Sequence, residues 1–330
     1  MNLPRRRLLH LAAGMAALPA ISRFARAQTY PTKPVTMIVP FTAGGPTDAY
    51  ARIVGGPMGR IIGQAFVMEN VVGAGGTTGS TRAMRANPDG YTILMGHIGT
   101  HAFSVALYPN LAYKPEADFE PIGTVIETHN LVVARKDFPP DDLKEFMTYV
   151  KANAEKLNMA HAGVGSNSYG IGLMFNSLLG VRPTIVPFNG TAPATTALLG
   201  GQIDYMMCSI ADFGAHIQSG AVKVYAFGAA ERSPVLPNVP TSEEAGLAEF
   251  QASSWWALFA PKGTPQAILD KLTDALDKTL DDPDVRKRFF DLGGDIPGKP
   301  QRGQKPLAAL VKSEIARWTP IIKAANAKTQ

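Results

Sequence analysis

Five loops of the chain combine glycine with hydroxyl or amide side chains, and each lies next to a short apolar run typical of a β-strand. They are Phe41–Asp48, Gly73–Thr77, His97–Thr100, Gly163–Ser168 and Phe188–Gly190. Glycine lets the backbone approach a ligand closely, and free amide groups at the start of a helix favour an anion such as a carboxylate. In open α/β sheets, ligands lie beyond the carboxyl ends of the strands, where such loops meet. The loops therefore predict one shared ligand cleft.

Several side chains in or near these loops have a structural and a functional interpretation. Asp48 is placed either to stabilise the start of the following helix or to contact the ligand. Asp204, in a strand-like run, could hydrogen-bond a neighbouring loop or bind ligand through water. His97, at the mouth of a loop, fits a structural role and a ligand-binding role equally well. Trp255-Trp256 and the single cysteine, Cys208, lie in apolar runs and are predicted to be buried structural side chains.

The motifs of the common enzyme classes are incomplete in this chain. The run Gly73–Gly79 has Thr78 where a dinucleotide-binding fingerprint needs glycine, and no P-loop lysine follows any glycine loop. The segment Ser166–Gly170 resembles a hydrolase elbow but begins with serine instead of glycine. His, Asp and Glu have no recognisable metal-ligand spacing. We therefore expect no catalysis, cofactor or metal, and keep a secreted serine hydrolase using Ser166 or Ser168 as the alternative.

The elements that position these loops alternate between strand and helix. Short β-branched runs recur near 35–40, 65–71, 91–95, 130–134, 157–161, 184–188, 203–207 and 222–227, mostly with helical segments between them, and the stretch before Asn130 is irregular. Such alternation predicts an α/β protein with two lobes, each a mainly parallel sheet covered by helices. We expect lobe 1 to comprise 28–126 and 250–330 and lobe 2 to comprise 127–249. The hinge is then expected near 126–130 and 248–252.

The N-terminal segment has the pattern of an export signal. Three arginines, Arg5–Arg7, precede an apolar stretch that ends in Ala25-Arg26-Ala27, a small-x-small cleavage pattern. Pro4–Leu9 also fits a twin-arginine signal, so residues 1–27 predict export to the periplasm by the Sec or the twin-arginine route.

Removal of that segment abolishes the excess of positive charge. The chain has 32 Lys and Arg against 27 Asp and Glu, and five arginines but no acids precede Gln28, which leaves 27 of each. A neutral mature protein gives no support to nucleic-acid binding. A single cysteine excludes an internal disulfide, and the protein is expected to be a monomer.

The order of the motifs is similar to that of the Bug (TctC-like) proteins, the extracytoplasmic substrate-binding subunits of tripartite tricarboxylate transporters. The resemblance covers essentially the whole mature chain. It rests on Val39–Gly45 with Asp48 and Arg52, Gly63-Gln64, Glu69–Gly76, Asn87–Thr92, Asp118–Ile122, Gly200–Asp204, Pro237–Thr241, Glu244–Gly246 and Ala260–Pro265.

The resemblance implies a two-lobed periplasmic binding protein that closes around a small organic carboxylate and offers it to two membrane subunits. In the family, backbone amides, hydroxyls and ordered waters hold the carboxylate. Matching positions, with His97 and Thr100 from the loop after the third strand, give the candidate ligand-binding residues Phe41, Thr42, Ala43, Gly44, Gly45, Asp48, Ala74, Gly75, Gly76, Thr77, His97, Thr100, Gly165, Ser166, Asn167, Ser168, Phe188, Asn189, Gly190 and Asp204.

Three positions depart from the family pattern. Tyr169 replaces a usual histidine, Leu173 a common glutamate, and Phe188 the tyrosine of Tyr-x-Gly. These changes predict a less acidic, more apolar pocket wall, and hence an aromatic or longer-chain carboxylate as ligand. A role as the ligand-sensing partner of a membrane receptor kinase stays open beside transport.

Overall fold

A computed structural model describes residues 30–327, in which strands and helices alternate; the predicted export signal lies outside these residues. The strands are β1 (Val35–Val39), β2 (Phe66–Asn70), β3 (Thr92–His97), β4 (Phe119–Arg135), β5 (Asn158–His161), β6 (Thr184–Pro187), β7 (Tyr205–Ser209), β8 (Val222–Phe227), β9 (Ser253–Pro261) and β10 (Gly294–Asp295). The α-helices are α1 (Pro46–Ile62), α2 (Thr77–Met84), α3 (Ser104–Leu107), α4 (Leu143–Asn153), α5 (Asn167–Leu179), α6 (Thr191–Leu199), α7 (Ile210–Gln218), α8 (Gln266–Asp281), α9 (Pro283–Asp291) and α10 (Gln304–Ala327). Short 3₁₀ turns occupy Ala74–Gly76, Ala154–Lys156 and Lys299–Gln301, and a π-helical turn Gly99–Phe103.

The first sheet has the strand order β2-β1-β3-β9-β4. Its first three strands are parallel, and β9 runs antiparallel to both β3 and β4. Helix α1 packs Tyr50 and Val54 into the core of this lobe. Its bounds follow from the sequence: Pro46 has the backbone angle that a first helical turn requires, and Gly63 ends the helix in the left-handed conformation.

The second sheet has the order β4-β7-β5-β6. Strands β5, β6 and β7 are parallel, whereas β4 runs antiparallel to β7 and to β8, which pairs on its other side. Helices α5, α6 and α7 each begin within a few residues of the carboxyl end of a parallel strand. Their N-termini therefore lie at one edge of this sheet.

Strand β4 belongs to both sheets. Its residues from Phe119 to His129 pair with β9, and those from Asn130 to Arg135 pair with β7 and β8. The sequence predicted an irregular stretch before Asn130, which is wrong from Phe119 onward. Register shifts at 121–123 and 124–126 explain the error, because they interrupt the alternation that identifies a strand. The lobe bounds at 126–127 and 249–250 stay a prediction.

The C-terminal helix α10 packs against elements of both sheets. Its stripe Leu307, Val311, Trp318 and Ile322 is buried, and Trp318 makes an edge contact with Phe103, with ring centroids 4.6 Å apart. The helix also packs on α5. Within residues 30–327, no helix is long and apolar enough to cross a membrane.

Candidate functional site

The carboxyl ends of β1, β3, β5, β6 and β7 face a cleft that contains two adjoining cavities. The inner chamber encloses about 30 Å³ and is lined by Phe41, Thr42, Gly45, Pro46, Thr47, His97, Ala162, Ser166, Asn167, Ser168, Thr191, Cys208, Asp212 and Trp256. The outer mouth has about 530 Å³ and is lined by Phe41, Val72, Gly73, Ala74, Gly75, Gly76, Tyr108, Ala162, Gly163, Val164, Pro187, Phe188, Asn189, Gly190 and Pro193. Both sheets contribute to both cavities.

Thirteen of the twenty predicted site residues line one of these cavities. The inner chamber receives Phe41, Thr42, Gly45, His97, Ser166, Asn167 and Ser168. The outer mouth receives Ala74, Gly75, Gly76, Phe188, Asn189 and Gly190, and shares Phe41. The other seven residues, Ala43, Gly44, Asp48, Thr77, Thr100, Gly165 and Asp204, line neither cavity.

Asp48 supports the first loop from behind. Its Oδ2 accepts the amide N–H of Gly44 at 3.0 Å and Arg52 Nε at 2.9 Å, and its Oδ1 accepts Asn70 Nδ2 at 3.0 Å. Asn70 also donates to the carbonyl oxygen of Phe41. Burial raises the pKa of Asp48, but the hydrogen bonds from Arg52, Gly44 and Asn70 outweigh it and hold that pKa below its usual value. Asp48 is thus a positioning residue for the loop.

His97 presents a neutral hydrogen-bond donor to the inner chamber. Its Nδ1 accepts the amide N–H groups of Gly99 at 2.7 Å and Thr100 at 3.2 Å, which assigns the proton to Nε2. Burial lowers the pKa of His97 to about 3, so the ring is uncharged at neutral pH. The ring stacks on Phe41 and meets Trp256 edge-on. Thr100 acts through His97 and does not itself reach a cavity.

The start of α5 brings three polar side chains to the other wall. Ser166 is the N-cap and accepts the amide N–H of Tyr169, while Ser168 Oγ accepts that of Ala162 at 2.9 Å. The two hydroxyl oxygens are 3.2 Å apart. Neither serine has a histidine nitrogen as a hydrogen-bond partner within residues 30–327, so the arrangement lacks the base of a hydrolase.

Asn167 connects this wall with the strands that join the two sheets. Its Nδ2 donates to Asn130 Oδ1 at 2.8 Å, and Ser254 Oγ donates to its Oδ1 at 2.6 Å. Asn130 Nδ2 in turn donates to Ser254 Oγ and to the carbonyl oxygen of Ala252. The network ties the cleft-facing end of α5 to the two chain crossings between the sheets.

The two walls touch through glycines and one tyrosine. Tyr108 Oη donates to the carbonyl oxygen of Val164 at 2.6 Å and lies 3.0 Å from that of Ala74. A Cβ atom at Gly75 would overlap the carbonyl oxygen of Val164, and one at Gly190 would overlap Thr42 Oγ1. The walls therefore approach to backbone contact, a distance that only glycine allows at these positions.

The structure places Asp204 away from the cleft. It precedes β7, at the amino end of that strand, where it accepts the amide N–H of Asn158 at 2.8 Å and Arg135 Nε at 3.1 Å. Its contacts are therefore those of a structural carboxylate. Thr77 Oγ1 donates to the carbonyl oxygen of Ala74, and so supports the outer mouth without lining it.

Sequence reasoning missed seven residues that line the inner chamber: Pro46, Thr47, Ala162, Thr191, Cys208, Asp212 and Trp256. Trp256 and Cys208 are buried as predicted but also face the chamber. Asp212 is the one carboxylate of the lining. Burial raises its pKa to about 6, against the hydrogen bonds from Ser209 and the nearby Thr191 hydroxyl, which lower it without reaching hydrogen-bond distance of Oδ1. The capping-box pattern Ser209-x-x-Asp212 after an apolar strand was the signal available in the sequence.

Only one of the three departures from the family pattern lines the cleft. Phe188 lines the outer mouth, whereas Tyr169 packs its ring on His161 and Leu173 is buried in the core beside α10. The prediction of a more apolar pocket wall therefore rests on Phe188 alone. Within residues 30–327, no group of three or more His, Cys, Asp or Glu side chains is arranged to hold a metal ion.

The sequence matches a known family over most of its length. Residues 50–327 match the profile described as the tripartite tricarboxylate transporter family receptor, TctC.

The solved structures that share this fold include three relatives with identities from 29% to 49%. MatC of Rhodopseudomonas palustris with bound malate is 49% identical, covering 89% of this chain and 100% of its own, with a TM-score of 0.87. The periplasmic binding protein BugD is 42% identical over 90% and 99% of the two chains, with a TM-score of 0.86. R. palustris Rpa4515 with adipate is 29% identical over 90% and 98%, also with a TM-score of 0.86. These similarities confirm the two-lobed α/β fold class.

Proposed function

Because the chain belongs to the tripartite tricarboxylate transporter receptor (TctC) family of periplasmic solute-binding proteins, we propose that it captures a small dicarboxylate in the cleft between its lobes and delivers it to the membrane subunits of a transporter. The family consists of solute-binding proteins and not of enzymes, in agreement with the expectation from the sequence. Residues 1–27 direct export by the Sec or the twin-arginine route, and the mature protein acts as a monomer.

One observation carries the proposal: the first turns of four helices meet at the inner chamber. Thr47 of α1, Asn167 and Ser168 of α5, Thr191 of α6 and Asp212 of α7 all line it. Helix N-termini present free N–H groups and partial positive charge, and so stabilise a bound anion. No Lys or Arg is among the lining residues of the described chain. The anion is therefore held by neutral donors, such as Ser168 and His97.

The size of the cleft indicates how the ligand enters. The inner chamber is narrow, with about 30 Å³ of free space, and it shares Phe41 and Ala162 with the wider outer mouth of about 530 Å³. The ligand therefore enters through the outer mouth while the lobes are apart, and the lobes then close on it. Contacts to both lobes shift the population toward the closed form, and this form is offered to the membrane subunits.

A dicarboxylate is the first ligand class to test because relatives with malate and adipate are similar over nearly the whole chain. An aromatic carboxylate is the second, since Phe41, Tyr108 and Phe188 line the outer mouth.

A thermal-shift screen of residues 28–330 tests binding. Malate, succinate and adipate are compared with monocarboxylates of matched chain length and with benzoate. A ligand at about 100 times its Kd adds roughly 2.7 kcal/mol to the free energy of unfolding. Stabilisation by a dicarboxylate but not by the matched monocarboxylates supports the proposal, whereas stabilisation by benzoate alone assigns the aromatic class instead of the dicarboxylate. The absence of a shift with every carboxylate contradicts it. Loss of uptake of the identified ligand on deletion of the gene tests delivery.

A further inference from the structure

Asp212 has one carboxylate oxygen without a partner. The residue occupies the first turn of α7, where its Oδ2 accepts both the amide N–H and the hydroxyl of Ser209, each at 2.9 Å. Its Oδ1 is shielded from solvent and has no hydrogen-bond partner in the described chain. Thr42 Oγ1, which lies against Gly190, is also buried without a partner. Buried polar atoms without partners are costly, and a ligand that bonds Asp212 Oδ1 removes that cost for the carboxylate.

The groups facing Asp212 across the chamber and beneath it are uncharged at neutral pH. They are Tyr50 of α1, Cys208 of β7 and His97 at the end of β3. Burial raises the pKa of Tyr50 and of the Cys208 thiol, and lowers the pKa of His97 to about 3. Asp212 therefore has no cation to stabilise its ionised form, and burial raises its own pKa to about 6.

The other elements packed against α7 do not supply a cation either. Helix α6 has no titratable residue, and the titratable side chains on β4, β7, β8 and α7 itself are Glu120, Glu127, His129, Arg135, Tyr205, Lys223, Tyr225 and His216. Arg135 pairs with Asp137 and Asp204, and Lys223 pairs with Asp141. Among the described residues, Asp212 forms an ion pair with none of these groups.

We propose that Asp212 is a specificity-determining residue that binds one carboxylate of the ligand as a carboxylic acid, donating the proton on its Oδ1. The proposal rests on the proposed function, because it assumes a dicarboxylate in the inner chamber. The proton belongs on Oδ1 because Oδ2 already accepts two hydrogen bonds. A ligand carboxylate brought next to Asp212 further disfavours its ionised form, since two carboxylates at hydrogen-bond distance share one proton.

The consequence is that ligand binding takes up a proton. Above pH 6 the carboxyl of the free protein is ionised, so each bound dianion must bring a proton from solvent to Asp212. For a free-state pKa of about 6, the Kd rises roughly 20-fold between pH 6.5 and pH 8.0. An amino dicarboxylate would behave differently, because its ammonium group would pair with ionised Asp212 and its affinity would not fall over this range.

Titration calorimetry with succinate at pH 6.5, 7.25 and 8.0 tests this proposal, in buffers of different ionisation enthalpy. The full-length mature protein is compared with Asp212→Asn, whose amide N–H reproduces the donor of the carboxylic acid while its carbonyl oxygen still accepts from Ser209. The matched control is Asp282→Asn, which alters another helix-capping carboxylate that accepts backbone N–H groups far from the cleft.

The expected result is uptake of about one proton per succinate at pH 8.0 by the original protein and by Asp282→Asn, and of none by Asp212→Asn. The Asn variant should also keep, at pH 8.0, the affinity that the original protein has at pH 6.5. Binding of succinate without proton uptake overturns the role of Asp212 and leaves the proposed function intact. Proton uptake that persists in Asp212→Asn assigns the titration to another group and also overturns the proposal. The absence of binding by the original protein at every pH contradicts the proposed function itself.

Discussion

Replacement of Gly75 by alanine should weaken ligand binding strongly while the protein still folds. Gly75 has φ +60°, and a Cβ atom built on it overlaps the carbonyl oxygen of Val164 and lies 3.2 Å from the carbonyl carbon of Gly165. Because these are backbone atoms of the other wall, no side-chain rotation relieves the overlap. An ordinary contact requires the walls to separate by roughly 1.5–2 Å. That movement also breaks the hydrogen bond from Tyr108 to Val164. If the closed form becomes about 3 kcal/mol less favourable, the Kd rises more than 100-fold.

The control for Gly75→Ala is Gly220→Ala. Gly220 has φ +65° and no atom within 4 Å of a built Cβ. Both variants incur the cost of about 1–2 kcal/mol for alanine in the left-handed region, so both should lower the Tm by a few degrees. Only Gly75→Ala should lose ligand affinity in titration calorimetry. If both variants bind within threefold of the original protein, the wall contact at Gly75 is not part of the bound state and the reasoning fails.

Three further predictions follow from single contacts. Tyr108→Phe removes the hydrogen bond to Val164, which is worth about 1 kcal/mol, so calorimetry should give about fivefold weaker binding with an unchanged Tm. An unchanged affinity would contradict a role of this hydrogen bond in holding the two walls together. Asp204→Asn weakens the ion pair with Arg135, so urea unfolding should show a free energy of unfolding lower by about 1–2 kcal/mol, while the ligand affinity stays within twofold. A large loss of affinity would show that Asp204 does belong to the binding site. For Asp212, burial raises the pKa from 3.8 to about 6, so its carboxyl favours the folded state fully below pH 3.8 and loses that effect as pH rises through 6. Urea titrations without ligand should therefore show Asp212→Asn gaining on the order of 2 kcal/mol over the original protein between pH 4 and pH 8, whereas a constant difference would refute the raised pKa.

The parallel strands and the loops that follow them could be predicted because their signals are local. Val35–Val39 is β-branched and apolar, and Gly44-Gly45-Pro46 marks the turn into α1. Since the carboxyl ends of parallel strands meet at one edge of a sheet, strand order did not need to be known to bring Thr42, after β1, close to His97, at the end of β3.

Asp204 entered the predicted site through the family resemblance, although the predicted strand 203–207 already put it at the amino end of the strand, where the structure also has it. Trp256 and Asp212 were missed because their places in the site depend on information that is not local. Trp256 alternates with Trp255 on β9, and only the pairing with His97 on β3 shows which ring lies beside the chamber. Asp212 is a candidate site residue because its Oδ1 atom is buried without a hydrogen-bond partner, and no sequence pattern encodes that.

The ligand-bound crystal structure of the mature protein with malate or succinate tests the central claim most directly. We predict one molecule in the inner chamber, with a carboxylate in hydrogen-bond contact with Ser168 or His97 and contacts to both lobes. A ligand bound instead in the cavity beside Leu173 and Val181, or to a single lobe, would contradict the account.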